Sequence, residues 1–331
     1  MKLSDIAQLA GVSVTTASYV INGKAAQQRI SSSTVERVRA VVEQHGFTPN
    51  PQAAGLRSRK TRTLGFILPD LENPSYARIA KLLEQGARAR GYQLLIASSD
   101  DAPDSERQLL QLFRARRCDA LFVASCLPAD DDSYRELQAL GTPVIAIDRE
   151  MEPAHFCSVV SDDRQASLQL TRSLLLPLPR HIALIGARAE LSISRQRAAG
   201  FEEALKGFKG EVLIEHGEAF SRECGRQLME GLIKSLGHLP DALITTSYVL
   251  LQGVFDALHE QPLKPQPLRL GTFGDTQLLD FLPLPVNAMA QQHQLIAEKA
   301  LELALAAIED KNYQPGVQAI ARTFKQRIHG A

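Results

Sequence analysis

The sequence lacks the features that mark membrane, secreted and metal-binding proteins. Although 44% of its 331 residues are hydrophobic, no apolar run is long enough to span a bilayer. The segment Met1–Asp5 leads into an amphipathic pattern rather than into the apolar core of a secretory signal. The four cysteines lie far apart without C-x-x-C spacing, so neither a disulfide framework nor a zinc site is expected. These absences predict a cytoplasmic protein with buried thiols, no metal site and no membrane partner.

Signatures of catalysis are also missing. No G-x-G-x-x-G follows the first predicted strand and no G-x-x-x-x-G-K-[ST] occurs, so the usual phosphate loops for nucleotide cofactors are absent. No Ser/His/Asp or Cys/His set stands in a recognisable local context. The acidic run Asp130–Asp132 lacks matching histidines or carboxylates and is interpreted as a solvated loop at a helix N-terminus. We therefore predict neither an enzyme nor a cofactor.

Charge is unevenly distributed along the chain, although the formal net charge is zero. Residues 1–62 contain nine Lys or Arg and three Asp or Glu, which gives them a net charge of +6 and leaves −6 on the remainder. A basic head on an acidic body suggests a polyanionic partner for the head alone. A solvated basic face would give the same count, so charge by itself does not decide between the two.

The first 48 residues predict three short helices. Ser4 is expected to cap the first helix, and Gly11 permits a tight turn after it. The capping box Ser33-x-x-Glu36 is expected to start the third helix, which ends at Gly46. The apolar positions of these two helices, which should face inward, are Ile6, Leu9, Ala10, Val35, Val38 and Val42.

The second helix carries the most informative pattern. Ser13 is expected to cap it, and the spacing of Ala17, Val20 and Ile21 turns those side chains inward. Its exposed face is short, uncharged and rich in hydrogen-bonding groups: Thr15, Ser18, Tyr19 and Asn22, with Thr16 at the flank. Such a face suits a helix that reads base edges in the major groove. The three helices therefore predict a helix-turn-helix domain, the alternative being a small three-helix bundle with another task.

A short segment follows at residues 49–61. Asn50-Pro51 indicates a helix N-cap and first helical residue, but the remaining stretch makes barely two turns and is weakened by Gly55. So short a helix forms only when docked, for example against its symmetry mate on DNA, where Leu56 would wedge between base pairs in the minor groove. On the sequence pattern alone, Leu56 is better interpreted as a linker side chain that packs on the core.

From Leu64 onward, short apolar runs alternate with helical stretches. The runs are 64–69, 93–97, 120–124, 144–147 and 158–160, then 182–185, 212–214, 242–245, 268–273 and 286–290. Near-continuous apolar strands separated by helices predict parallel sheets covered on both faces, and two such series predict two doubly wound lobes. Ligands of such sheets bind beyond the carboxyl ends of the strands.

Small polar residues follow most of these strands, which suits a ligand rich in hydroxyl groups. Two arginines stand out, Arg149 directly after a strand and Arg197 near the start of a helix. A guanidinium group in a cleft is well suited to phosphate or sugar hydroxyls. The alternative is an ion pair, which is about equally expected for Arg149 and less so for Arg197.

The stretches Ser4–Ser13 and Thr16–Asn22 resemble the DNA-binding segment of the LacI/GalR family of bacterial repressors. Asn50–Arg57, Leu64-Gly65 and Arg197-x-x-Gly200-Phe201 fit the same family in order, so the resemblance covers the whole chain. It implies an all-α helix-turn-helix domain at residues 1–48, a hinge at 49–61, and an α/β core at 62–331 like a type I periplasmic binding protein. The implied first lobe covers about residues 62–161 and 292–331, and the second about 162–291.

The resemblance also implies a homodimer or tetramer on near-palindromic double-stranded operator DNA. The positions that the resemblance implies to contact DNA, with Arg29 as an extra contact, are Ser4, Val14, Thr15, Thr16, Ser18, Tyr19, Asn22, Arg29, Asn50, Ala53 and Leu56. Ala53-Ala54-Gly55 departs from the family by making a weak hinge helix, which bears on how far the DNA is bent.

Three further stretches, 17–25, 245–254 and 272–282, are similar to a subgroup of the family that responds to phosphorylated fructose. This similarity implies fructose 1-phosphate as the effector, with arginines on the phosphate and Asp275 accepting from sugar hydroxyls. The positions implied to bind it are Leu71, Asn73, Tyr76, Ser99, Asp148, Arg149, Arg197, Ser247, Tyr248, Asp275 and Gln291. Family behaviour implies release from DNA on binding, whereas the residues alone leave open a corepressor-dependent regulator or a sugar-binding transport protein.

Overall fold

The computed structural model describes residues 1–47, 61–260 and 268–328. The chain divides into two compact units, Met1–Thr61 and Arg62–Ala331. The first unit consists of three helices, α1 (Leu3–Leu9), α2 (Val14–Ile21) and α3 (Ser32–Gln44). Their inward side chains form one small core, which contains Ile6, Ala7, Ala17, Val20 and Val38.

The helix ends in this unit differ in part from the sequence prediction. Ser13 accepts a hydrogen bond from the Thr16 amide over 3.0 Å, which confirms it as the cap of α2. Ser4 lies inside α1. The Asp5 carboxylate accepts from the backbone amide of Lys2 over 2.8 Å, and Lys2 is the N-cap, two residues before the predicted cap. Leu9 is 56% exposed, and Ala7 takes the buried place predicted for it.

The start of α3 is also corrected. Its N-cap is Ser31, so Ser33 lies within the first turn and the predicted capping box with Glu36 does not form. The Ser31 hydroxyl instead bonds to the Thr34 hydroxyl over 2.9 Å. The helix ends at Gln44, and Gly46 has a φ of 58°, as a glycine just beyond a helix C-terminus often does.

The second unit contains two lobes, each built on a six-stranded sheet. In the first lobe the elements are β1 (Thr63–Leu68), α4 (Pro74–Ala89), β2 (Gln93–Ser98), α5 (Pro103–Ala115), β3 (Ala120–Val123), α6 (Ser133–Ala139), β4 (Val144–Ile147), β5 (Cys157–Ser161), α11 (His293–Glu309) and β11 (Gly316–Ile320). Here the strand order is β11-β5-β4-β3-β1-β2 and every pairing is parallel. Helices α4 and α11 pack on one face of this sheet, over Leu64, Phe66 and Ile145.

The second lobe repeats the plan. Its elements are α7 (Asp163–Arg172), β6 (His181–Ala187), α8 (Ser192–Ala204), β7 (Glu211–Gly217), α9 (Arg222–Leu236), β8 (Ala242–Thr245), α10 (Tyr248–Glu260), β9 (Arg269–Phe273), a 3-10 helix (Gln277–Phe281), β10 (Val286–Ala290) and β12 (Thr323–Lys325). The strand order is β12-β10-β9-β8-β6-β7, and β12 runs antiparallel to β10. The predicted architecture of two doubly wound lobes is confirmed.

Three passages of the chain connect the lobes, at β5 to α7, β10 to α11, and β11 to β12. Hydrogen bonds tie these passages together: Asp162 donates its amide to the Ile320 carbonyl over 3.0 Å, and the Gln291 amide donates to the Ser161 hydroxyl over 3.2 Å. The passages therefore form one hydrogen-bonded hinge at the back of the space between the two sheets. Among residues 1–47, 61–260 and 268–328, no helix meets the length and apolarity that a membrane span requires.

Candidate functional sites

A cavity of roughly 1320 Å³ opens between the two lobes at the carboxyl ends of their strands. In the first lobe, the turns after β1, β2 and β4 contribute to its lining. In the second lobe the turns after β8 and β9 contribute, and so does the passage that follows β10. This is where the topology of doubly wound sheets predicts a ligand. Ten of the eleven effector residues predicted from the sequence line the cavity: Leu71, Asn73, Tyr76, Asp148, Arg149, Arg197, Ser247, Tyr248, Asp275 and Gln291.

Ser99 is the exception, because it does not reach the cavity. It is fully buried, and its hydroxyl donates to the Leu68 carbonyl over 3.3 Å beneath the end of β2. Its neighbours Ser98, Asp100 and Asp101 line the cavity instead. The predicted position was wrong by one or two residues because Asp100 and Asp101 adopt φ values of 53° and 55°, which turn the chain sharply after the strand.

The back of the cavity holds two guanidinium groups on one carboxylate. Arg197 donates from Nε to Asp163 Oδ1 over 3.0 Å, and Arg322 donates from Nε to the same oxygen over 2.9 Å. All three side chains are buried, and both guanidinium groups lie over the Phe273 ring, at 4.4 and 5.3 Å from its centroid. The two guanidinium groups share one carboxylate oxygen through their Nε atoms, and guanidinium donors are well suited to an anionic ligand.

Asp148 is a second carboxylate that interacts with the charges of Arg197 and Arg322. Tyr76 donates its hydroxyl to Asp148 Oδ2 over 2.8 Å, and the Gln291 amide donates to Oδ1 over 2.7 Å. Burial alone would raise the pKa of Asp148, but the charges of Arg197 and Arg322 outweigh it and hold that pKa below the usual value. Asp148 is therefore an ionised acceptor, and its remaining lone pairs are available to ligand hydroxyls.

A second small network fixes the loop before α4. The Ser75 hydroxyl donates to Gln291 Oε1 over 2.5 Å and lies 2.9 Å from His293 Nε2. Burial lowers the pKa of His293 to about 4, with a further lowering by the charge of Arg322. His293 is therefore neutral near pH 7 and adds no charge to the cleft. Asn73 caps α4 by accepting from the Ser75 amide over 3.0 Å.

Arg149 is paired inside the first lobe. Its two terminal nitrogens donate to the two carboxylate oxygens of Asp101 over 2.5 and 3.0 Å. Asp101 is also approached from the second lobe by Arg188, whose Nη1 donates to the Asp101 backbone carbonyl over 3.2 Å. The ion pair considered from the sequence is therefore present, and the same arginine lines the cavity.

The remaining predicted residues have structural partners as well. Asp275 follows Gly274, whose φ of 94° permits the turn after β9, and Asp275 Oδ1 accepts from Arg327 over 2.8 Å. The Ser247 hydroxyl accepts from the Leu250 amide over 3.2 Å and so caps the start of α10. Leu71 is 49% exposed at the edge of the cavity. Asp275 therefore offers fewer free lone pairs to a ligand than the sequence suggests.

In the first unit, α2 exposes the predicted polar face. Thr15 and Asn22 are exposed, Val14 is 41% exposed, and Ser18 and Tyr19 are half-buried. The Asn22 amide donates to the Ser18 carbonyl over 2.8 Å, which fixes its side chain along the helix. Ser4 and Arg29 are exposed, while Asn50, Ala53 and Leu56 lie outside the described residues.

Comparison with protein families matches both units. Residues 2–50 match the bacterial regulatory proteins of the lacI family, and residues 61–264 match the periplasmic binding proteins and sugar binding domain of the LacI family. The chain belongs to the LacI family. One match covers the helix-turn-helix segment, and the other covers more than half of the whole chain. The assignment to the family therefore does not depend on a single motif.

Relatives of this LacI-family chain are similar over nearly their full length. It is 50% identical to the fructose operon regulatory protein of Vibrio cholerae over 327 residues, 99% of this chain and 100% of that one. It is 45% identical to the catabolite repressor/activator of Escherichia coli K12 over 329 residues, 99% and 98% of the two chains. The solved structure of the Cra transcriptional dual regulator from Pseudomonas putida in complex with fructose 1-phosphate is 76% identical, with a TM-score of 0.80 over 81% of this chain and 99% of that one.

Some residues of this LacI-family cleft escaped sequence reasoning. Arg322 lies in the passage between β11 and β12, two strands that the sequence pattern did not predict. His293 follows Gln291 by two residues, and Asp101 follows a predicted turn, so proximity to a strand end was a usable signal for both. Arg78 lies on α4 and lines the cavity without such a signal.

Proposed function

We propose that this LacI-family protein binds a near-palindromic operator as a homo-oligomer in the cytoplasm and is released from it by fructose 1-phosphate. The observation that carries the proposal is the pair Arg197 and Arg322 on the single carboxylate of Asp163. Two buried guanidinium groups that share one carboxylate, within a cleft that also contains hydroxyl acceptors, suit a ligand with a phosphate at one end and a sugar at the other.

In this proposal the phosphate lies against Arg197 and Arg322. Within the described residues, the terminal nitrogens of Arg322 have no hydrogen-bond partner, because only its Nε is engaged by Asp163. Those nitrogens are therefore available to phosphate oxygens without breaking an existing bond. Arg149 contributes only if the ligand competes with Asp101, which already occupies both of its terminal nitrogens.

The sugar then extends toward the acidic side of the cleft. Asp148 is ionised and can accept from sugar hydroxyls in addition to Tyr76 and Gln291. Asp275 keeps one carboxylate oxygen beyond its bond to Arg327 for the same purpose. A ligand held by residues of both lobes favours one relative orientation of the lobes, and a DNA-binding unit that prefers another orientation then loses affinity.

The face of α2 is proposed to read the operator. Thr15, Ser18 and Asn22 offer short hydrogen-bonding groups, and Tyr19 offers a ring and a hydroxyl, to base edges in the major groove. The helix-turn-helix segment separates this proposal from a sugar-binding transport protein, whose core would have the same fold. The relatives named fructose operon regulatory protein and catabolite repressor/activator support the choice of effector.

Fluorescence anisotropy tests the proposal directly. A labelled DNA fragment from upstream of fructose-uptake genes is held at half saturation and fixed salt while fructose 1-phosphate is added. Fructose, fructose 1,6-bisphosphate and glucose 6-phosphate serve as comparators. Release at the lowest concentration by fructose 1-phosphate supports the proposal. Tightened binding indicates a corepressor, and indifference to all four sugars rejects the effector while keeping the regulator.

A further inference from the structure

A contact between Arg188 and Asp101 joins the two lobes beside the cavity. Arg188, directly after β6 in the second lobe, donates from Nη1 to the backbone carbonyl of Asp101 in the first lobe over 3.2 Å. The same nitrogen lies 3.6 Å from Asp101 Oδ2. Arg188 is not itself among the residues that line the cavity, whereas Asp101 is. The contact therefore spans the lobes without occupying the space proposed for the effector.

Both ends of this contact are held in place. The Arg188 and Asp101 side chains are only 17% and 19% exposed, and the backbones of both residues have left-handed φ values, 49° and 55°. Such backbone conformations are unfavourable for residues other than glycine and persist when the surroundings impose them. The Asp101 carboxylate is fixed by Arg149, and Arg188 is fixed by Glu190 through its Nε.

We propose that Arg188 is a positioning residue that holds the lobes closed over bound effector by gripping Asp101. This inference rests on the proposed function, because it assigns a regulatory part to the same cleft. Because the lobes must separate before a ligand leaves the cleft, the contact between Arg188 and Asp101 slows the departure of the ligand. Loss of one member of a partly buried charge pair is usually seen in the dissociation rate.

Stopped-flow measurement of fructose 1-phosphate release tests the inference on the full-length protein. Arg188→Met keeps the apolar stem and removes the guanidinium group, and we expect the dissociation rate to rise about tenfold with little change in the association rate. Arg188→Lys retains a charge and should recover part of the loss. Arg172→Met is the matched control, because Arg172 is exposed on α7 and makes no side-chain ion pair within the described residues.

A double-mutant cycle with Asp101→Asn separates this contact from a general structural effect. Asp101→Asn removes the charge that lies 3.6 Å from Arg188 and leaves the backbone carbonyl in place. If Arg188 acts through the Asp101 carboxylate as well as through the carbonyl, the two substitutions together raise the release rate by less than the product of their separate effects. Additive effects, an unchanged release rate in Arg188→Met, or a Lys variant no better than the Met variant would overturn the inference. Titration calorimetry on the unaltered protein comes first: absence of fructose 1-phosphate binding there rejects the proposed function rather than the part assigned to Arg188.

Discussion

Arg322 donates a hydrogen bond to the carboxylate of Asp163 over 2.9 Å, although 159 residues separate the two in the chain. Asp163 begins α7 after the first passage between the lobes, and Arg322 lies in the last passage. The bond therefore ties the hinge together and at the same time brings a second guanidinium group to the back of the cleft. The Arg322–Asp163 pair therefore belongs both to the hinge between the lobes and to the proposed ligand site.

The first prediction concerns Arg322→Met, which removes the charge and keeps most of the side-chain volume. We expect the affinity for fructose 1-phosphate to fall about hundredfold, because charge-assisted hydrogen bonds to a phosphate each contribute roughly 1.5–3 kcal/mol. Operator affinity without the sugar should remain within about twofold of the unaltered protein, since the variant leaves Arg197 on Asp163. Calorimetry measures the first quantity and anisotropy the second.

A control variant and a conservative variant complete that test. Arg114→Met removes an exposed arginine on the last turn of α5, away from the cavity lining, and should alter neither affinity. Arg322→Lys retains a charge without the planar fork and should bind the sugar with intermediate affinity. Equal sugar affinity in the Met variant and the unaltered protein would remove Arg322 from the phosphate site.

The sequence predicted the architecture well because its signals are local. Short apolar runs between helical stretches located ten strands, including β4 and β8 with the bounds that the structure gives them. The strands β11 and β12 were missed, since β11 has three exposed residues in its middle and β12 has only three residues in all. Neither presents the continuous apolar run by which the other strands were recognised.

The candidate site was predicted less completely for a different reason. Residues directly after strands, such as Asp148 and Gln291, could be found because topology sends all parallel strand ends to one edge of a sheet. Arg322 could not be found, because its place depends on the two missed strands. Ion pairing was also beyond the sequence: nothing local indicates that Arg149 meets Asp101, or that Asp275 meets Arg327.

The second prediction uses the low pKa of His293, about 4 in the folded protein against 6.5 for an ordinary histidine. As the pH falls from 7 to 5, the unfolded chain binds a proton at this residue while the folded chain does not, so the free energy of unfolding decreases. We expect His293→Gln to remove about 1–2 kcal/mol of that decrease. Urea denaturation of both proteins at pH 7 and pH 5 measures the difference, and identical pH dependence would contradict it.

The third prediction compares two helical glycines. Gly200 in α8 packs so closely on α7 that a Cβ would lie 2.1 Å from the Arg164 carbonyl oxygen, whereas Gly231 in α9 has open space at that position. Gly200→Ala should therefore lower the free energy of unfolding by about 1–3 kcal/mol. Gly231→Ala should raise it by about 0.5–1 kcal/mol, because alanine is the better helix former. Thermal and urea denaturation measure the free energy of unfolding of both variants. Equal changes in the two variants would mean that α7 and α8 do not pack this closely.

The fourth prediction concerns operator reading by Tyr19, which is half-buried on the exposed side of α2. Removal of its ring and hydroxyl in Tyr19→Ala should weaken binding to the operator by about 10- to 100-fold, within the range of 1–3 kcal/mol for one base contact. Sugar affinity should not change, because the ring lies in the helix-turn-helix unit rather than in the cleft. Anisotropy with operator and random DNA at the same salt concentration separates two roles for this side chain. A loss confined to the operator indicates a base contact, and an equal loss on random DNA indicates a phosphate contact, because phosphate contacts carry no direct sequence information.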